Sequence, residues 1–125
     1  MEFRELEQRA LAIRRRYASL EERRYGRAWT REELALGFVG DVGDLVKLVQ
    51  AHEGVRAIPD APEKLAHELA DCLWSLLVLA DAYEVDLQQA FLRTMDQLEA
   101  YLAAQQDPVG SDPAPSGMPD LPTMA

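Results

Sequence analysis

Two segments of this chain are apolar almost all the way round a helix, and each carries a pair of acids three residues apart. Between Leu34 and Val49 the only charged side chains are Asp41, Asp44 and Lys47, and from Leu69 to Ala80 the only one is Asp71, with Glu68 just before it. A helix that is apolar on every side has to be enclosed by neighbours, so both segments are predicted to lie inside a helical bundle. Carboxylates in such places are costly unless something pairs with them. At about 100° per residue, Asp41 and Asp44 stand about 60° apart on one face. Glu68, Asp71 and Ser75 form a second narrow stripe, with Lys64 one turn earlier. Packed side by side, the two helices would gather four carboxylates, which cannot all stay ionised unless a cation neutralises them. A hard divalent ion with oxygen ligands, Mg²⁺ or Mn²⁺, meets that need. A di-iron bundle would want Glu-x-x-His pairs. Neither His52 nor His67 follows a glutamate at that spacing, and both are expected to make ordinary surface or packing contacts.

The first acidic pair lies in GFVGDVGDLVKL, residues 37 to 48, which holds three glycines. Glycine inside a helix costs about 1 kcal/mol relative to alanine. At Gly37, Gly40 and Gly43 the absence of a side chain would let another helix or a phosphate approach the backbone, and for Gly43 tight helix packing is the expected reason.

Around these segments the chain punctuates itself into four helices. Phe3, Leu6, Ala10, Ile13, Tyr17 and Leu20 form one apolar stripe, so the first helix is predicted from Phe3 to about Tyr25, ended by Gly26. Thr30-Arg31-Glu32-Glu33 is a capping box that opens a second helix from about Arg31 to Glu53, stopped by Gly54. Asp60, Pro62 and Glu63 mark the third start as a cap, a first-turn proline and a capping-box acid, and that helix runs from about Ala61 to Tyr83. Val85-Asp86-Leu87 opens a fourth that continues to about Ala104, with Leu87, Phe91, Met95, Leu98 and Leu102 on one face. The fold class is all-α, one helical domain over residues 1–104. Residues 105–125, rich in Pro, Gly, Ser and Asp, are expected to be a disordered tail.

The formal charge is -9 over 125 residues, which argues against generic nucleic-acid binding. Residues 1 to 31 hold nine arginines against five glutamates, whereas the remainder holds four basic and seventeen acidic side chains. The basic first helix reads as a solvated face that pairs with acidic neighbours, or one whose arginines meet phosphate. Cys72 is the single cysteine and lies in an apolar run, as buried, inert cysteines do. With no signal-like N-terminus and no stretch long enough to span a membrane, the protein is expected to be soluble and cytoplasmic.

Gly40-Asp41-Val42-Gly43-Asp44, followed on the next helix by Glu68-Leu69-Ala70-Asp71, resembles the two motifs of the all-α nucleoside triphosphate pyrophosphohydrolase superfamily that includes MazG and the dimeric dUTPases. Those motifs are Glu-Glu-x-x-Glu and then Glu-x-x-Asp. His67 to Leu87, HELADCLWSLLVLADAYEVDL, is similar to the second motif and the helix boundary after it. The resemblance covers residues 1 to 104. It implies a Mg²⁺-dependent enzyme that cleaves a (deoxy)nucleoside triphosphate to monophosphate and pyrophosphate, with Asp41, Asp44, Glu68 and Asp71 as the catalytic metal ligands. It also implies a homodimer or a dimer of dimers, which would cover the apolar helices. Gly40 stands where the family has its first glutamate, and Asp41 and Asp44 are each one methylene shorter than the family's acids. The alternative is therefore a catalytically weak or silent relative that serves as a nucleotide-binding or protein-interaction module. Lys47 and Lys64, each one turn from an acidic pair, are candidates for phosphate contact or for ordinary intrahelical ion pairs. Trp29 is the candidate for stacking on a base, and Trp74 is expected in the core.

Overall fold

A computed structural model describes residues 1–105 and contains four helices: α1 (Phe3–Tyr25), α2 (Arg31–His52), α3 (Ala61–Ala82) and α4 (Leu87–Gln105). The expected tail lies, from residue 106 onward, outside the described residues. No strand occurs among the described residues, and the fold is all-α as the sequence predicts.

The ends of these helices follow from local chemistry. Gly26 closes α1 with φ 83°, donating its N–H to the Glu22 carbonyl, a left-handed conformation that glycine enters without steric cost. Thr30 and Glu33 form the reciprocal capping box at the start of α2: Thr30 Oγ1 accepts the Glu33 N–H and Glu33 Oε1 accepts the Thr30 N–H. Arg27 also grips Glu33, and these bonds hold its carboxyl down at about 2. Past α2, Gly54 at φ 81° lets its N–H reach the Ala51 carbonyl while the Val55 N–H reaches that of Gln50. This crossed pair of bonds satisfies carbonyls that the helix end leaves open.

The start of α3 differs from the expected cap. Asp60 occupies the N-cap position at φ 56° and ψ 35°, and its side chain makes no capping bond. An N-cap that accepts from the second or third amide normally has extended backbone, and the left-handed turn at Asp60 removes that geometry. Pro62 starts the helix without an acid reaching back to a cap. At the other end of α3, Glu84 takes φ 56°, and the N–H groups of Glu84 and Val85 bond to the carbonyls of Asp81 and Ala80. This is the same helix stop as at Gly54, made by a residue for which the conformation costs about 1 kcal/mol. Asp86 then caps α4 through Oδ1 and the Gln89 N–H, as expected.

The described chain forms two compact units, one spanning Met1–Val85 and a second that begins at Asp86 and contains α4. In the first unit α3 packs against both α2 and α1. Ser75 bonds to Asp41, and the Arg31 guanidinium lies 4.8 Å from the centre of the Tyr83 ring. As the α2 number falls the α3 number rises, so the pair is antiparallel. Arg31 over Tyr83 adds a cation–π contact at its far end.

The core is small. Ala10, Leu48, Leu77 and Val78 are its buried apolar residues. The expectation that α2 is enclosed does not hold within one chain, because Leu48 is its single buried residue. Leu36 and Val39 are 70% and 66% exposed, and Val42, Val46 and Val49 are exposed as well. On α3, Leu69, Leu73 and Leu76 form another exposed stripe. Three helices have too little surface to cover a helix that is apolar all round. The glycine reading is corrected too: a Cβ at Gly40 or Gly43 would meet nothing within 4 Å, so neither position is emptied by close packing among the described residues.

Candidate functional site

One acid of α2, Asp41, bonds across to α3, and Glu68 of α3 senses the charges of Asp41 and Asp44. Asp41 is half-buried, and its Oδ2 accepts the Ser75 hydroxyl at 2.8 Å. Ser75 is 7% exposed, so this bond bridges the two helices from a nearly dry position. One turn further along α2, Asp44 is exposed. Glu68 and Asp71 are half-buried on α3.

Glu68 feels the charges of the other three. Burial pushes the Glu68 carboxyl above its ordinary value, and the charges of Asp71, Asp44 and Asp41 push it in the same direction, with His67 opposing. Burial also raises the Cys72 thiol, helped by Asp41, Glu68 and Asp71. A thiol held protonated is a poor nucleophile, in line with the inert cysteine expected.

His67 makes the surface contact expected of it. Its Nε2 lies 3.1 Å from Asp71 Oδ2, and His67, Glu68 and Asp71 offer donor atoms within 4.8 Å of one another. Screening for histidines three residues after a glutamate misses this one, because His67 precedes both acids. The four-residue step from His67 to Asp71, one helical turn, was the signal available.

Beside the carboxylates is a cavity of about 650 Å³. Its walls are Ile13, Arg14, Tyr17 and Glu21 of α1, Trp29 of the α1–α2 connection, Leu34, Gly37 and Asp41 of α2, and Ala70, Asp71, Trp74, Ser75 and Val78 of α3. One acid from each pair thus faces the same space as three aromatic rings. Trp74, expected in the core, is half-buried in that wall; its indole N–H donates to the Ala10 carbonyl at 3.1 Å, and its ring lies 6.0 Å from that of Tyr17. Trp29 is 44% exposed.

Two further groups in the cavity wall are charged. Arg14 forks onto Glu21, with Nη1 to Oε2 at 2.9 Å and Nη2 to Oε1 at 3.0 Å. The Arg14 hydrogen bonds hold the Glu21 carboxyl below its ordinary value against the opposing effect of burial. Sequence spacing did not flag this pair, since residues seven apart lie two turns from one another on a helix.

A flat ring fits between aromatic walls, and carboxylates accept a polyphosphate beside them only if a cation intervenes. Residues 30–100 match the MazG nucleotide pyrophosphohydrolase domain. The chain belongs to this family. The matched segment contains both acidic pairs and leaves Arg14, Glu21 and Trp29 outside it. No curated protein and no solved structure matches the chain.

Within this MazG domain the two lysines singled out in the sequence stand apart from the cavity. Lys47 and Lys64 are exposed, and neither forms an ion pair among the described residues. Gly40, where the MazG motif has its first acid, is open to solvent. None of the described helices is long and apolar enough to cross a membrane.

Proposed function

We propose that this chain is a Mg²⁺-dependent nucleotide pyrophosphohydrolase that cleaves a (deoxy)nucleoside triphosphate to monophosphate and pyrophosphate, with Mn²⁺ as a substitute ion. The observation that carries the reading is the single cavity lined by Asp41 and Asp71 together with Tyr17, Trp29 and Trp74. Membership of the MazG family supports the same reaction class.

Asp41, Asp44, Glu68 and Asp71 would hold the ion. The donor set suits it: all are hard oxygen ligands, and Glu68, raised first by burial, is raised further by the charges of Asp71, Asp44 and Asp41. When bound, Mg²⁺ neutralises phosphate charge, orients the polyphosphate and activates water. Ser75 fixes Asp41 toward α3, and rigid helices hold the set in register. Trp29 stacks on the base, while Lys47 and Lys64 meet the outer phosphates from the solvent side. The exposed stripes of α2 and α3 pair with a second copy in a homodimer, or in a dimer of dimers, that works in the cytoplasm.

The test is incubation of the pure protein with a panel of nucleoside and deoxynucleoside triphosphates, with and without Mg²⁺, measuring monophosphate, pyrophosphate and orthophosphate separately. Equal monophosphate and pyrophosphate supports the proposal. Diphosphate with orthophosphate, or no turnover with any nucleotide, contradicts it.

A further inference from the structure

The connection that carries Trp29 is tied to α1 by a carboxylate that the acidic cluster does not use. Glu21 Oε1 accepts the Trp29 backbone N–H at 2.8 Å, and both Glu21 oxygens are gripped by Arg14. Glu21 is 9% exposed, so its position is set by these bonds and not by solvent. The indole of the same tryptophan lies against Gly37. A Cβ placed on Gly37 would lie 3.3 Å from Trp29 Cζ3, tighter than ordinary van der Waals contact. Gly37 is therefore the one glycine of the GFVGDVGDLVKL segment whose bare backbone is occupied by a side chain, while Gly40 and Gly43 are open. Gly37 and Asp41 are four residues apart, which places the ring's seat about 6 Å along α2 from the first carboxylate.

We propose that Glu21, clamped by Arg14, and Gly37 together position Trp29 as the aromatic wall against which the ligand's flat base is recognised. The inference deepens the nucleotide reading of the cavity and rests on it for the class of ligand. Glu21 acts through the Trp29 amide and is a positioning residue. Gly37 supplies the seat for the indole. Arg14, Glu21 and Trp29 precede the matched MazG segment, whereas Gly37 lies within it.

The experiment follows the two indole N–H signals by NMR in ¹⁵N-labelled protein, with EDTA present, during titration with dAMP, dCMP, dGMP and dTMP. Trp74, whose indole N–H is held by the Ala10 carbonyl, is the internal reference for the ligand-free variants; as a wall of the same cavity its signal is free to shift when ligand binds. In the wild type at least one monophosphate shifts the Trp29 signal. Glu21→Ala and Gly37→Ala each displace the Trp29 signal before ligand is added, leave that of Trp74 in place, and weaken binding of that monophosphate about tenfold, the equivalent of about one lost contact. A general loss of packing would move both indoles. If Glu21→Ala does not fold, Gly37→Ala decides, because it leaves the ion pair intact. The proposal is overturned if no monophosphate shifts Trp29 in the wild type, or if the folded variants keep both the Trp29 signal and the wild-type affinity. Failure of the hydrolytic reading is distinguishable. In that case triphosphates with Mg²⁺ give no pyrophosphate, while monophosphate binding still depends on Glu21 and Gly37.

Discussion

Ser75 donates its hydroxyl to Asp41 across the α2–α3 contact at 2.8 Å, so the first carboxylate of one helix is oriented by the other. Ser75→Ala leaves Asp41 without that partner. The expected cost is about 1 kcal/mol of stability, read by urea unfolding, and about a tenfold loss of Mn²⁺ affinity as the ligand loses its orientation. Unchanged Mn²⁺ affinity would show that Asp41 needs no support from α3.

Glu68 carries the opposite sign of effect. Its folded carboxyl is raised by burial and by Asp71, Asp44 and Asp41, so ionising it in the metal-free fold is unfavourable. The strain is absent below the ordinary carboxylate range, where folded and unfolded forms are both protonated, and grows as pH rises through the raised value. In EDTA, Glu68→Gln is expected to melt a few degrees above the wild type at pH 7 and to lose that advantage at low pH. Saturating Mn²⁺ should reverse the order, because it stabilises the protein that binds it. Calorimetry under the two conditions makes the comparison.

Arg14 and Glu21 form the most enclosed ion pair in the first unit, with side chains 14% and 11% exposed. Arg14→Ala strands a largely buried carboxylate, for an expected loss of about 3 kcal/mol in urea unfolding at neutral pH. The Glu21 carboxyl is held low in the fold, so the pair's contribution is complete above the ordinary carboxylate range and is lost as pH falls through the lowered value. The gap between wild type and variant should narrow in the same acid window.

Gly40 has open space where a side chain would go. Gly40→Glu is therefore expected to stabilise α2 by about 0.5 to 1 kcal/mol through helix propensity alone. It also restores an acid beside Asp41, and Mg²⁺-dependent hydrolysis should increase. A stable variant with wild-type turnover would show that this position is idle.

The exposed apolar stripes make a prediction about assembly. Val39→Glu and Leu73→Glu change residues 66% and 47% exposed in the single chain, and such surface changes alter monomer stability by about 0.5 kcal/mol or less. Sedimentation should nevertheless show the wild type as a dimer or tetramer and each variant as a smaller species. A monomeric wild type would leave those stripes without the proposed partner.

The helices were legible because their signals are local: the Thr30–Glu33 capping box, glycines at 26 and 54, and Asp86 before α4 all act where periodicity says a helix begins or ends. Asp60 and Glu84 misled or were silent, since left-handed turns at non-glycine residues depend on how the whole connection closes. The acidic pairs could be read from charge inside apolar runs. The His67–Asp71 contact was within reach of the same reading, since the two stand one helical turn apart. The Glu21–Trp29 bond and the indole against Gly37 are invisible to spacing, for they join a helix, a connection and a second helix through tertiary packing.

The central claim is that the acids of α2 and α3 share one divalent cation, and Mn²⁺ binding followed by electron paramagnetic resonance tests it most directly. The account predicts one tightly bound ion per wild-type chain and loss of that ion in both Asp41→Asn and Glu68→Gln, with His67→Ala having little effect. Full binding in Asp41→Asn together with loss in His67→Ala would contradict it, placing the ion on α3 alone among His67, Glu68 and Asp71.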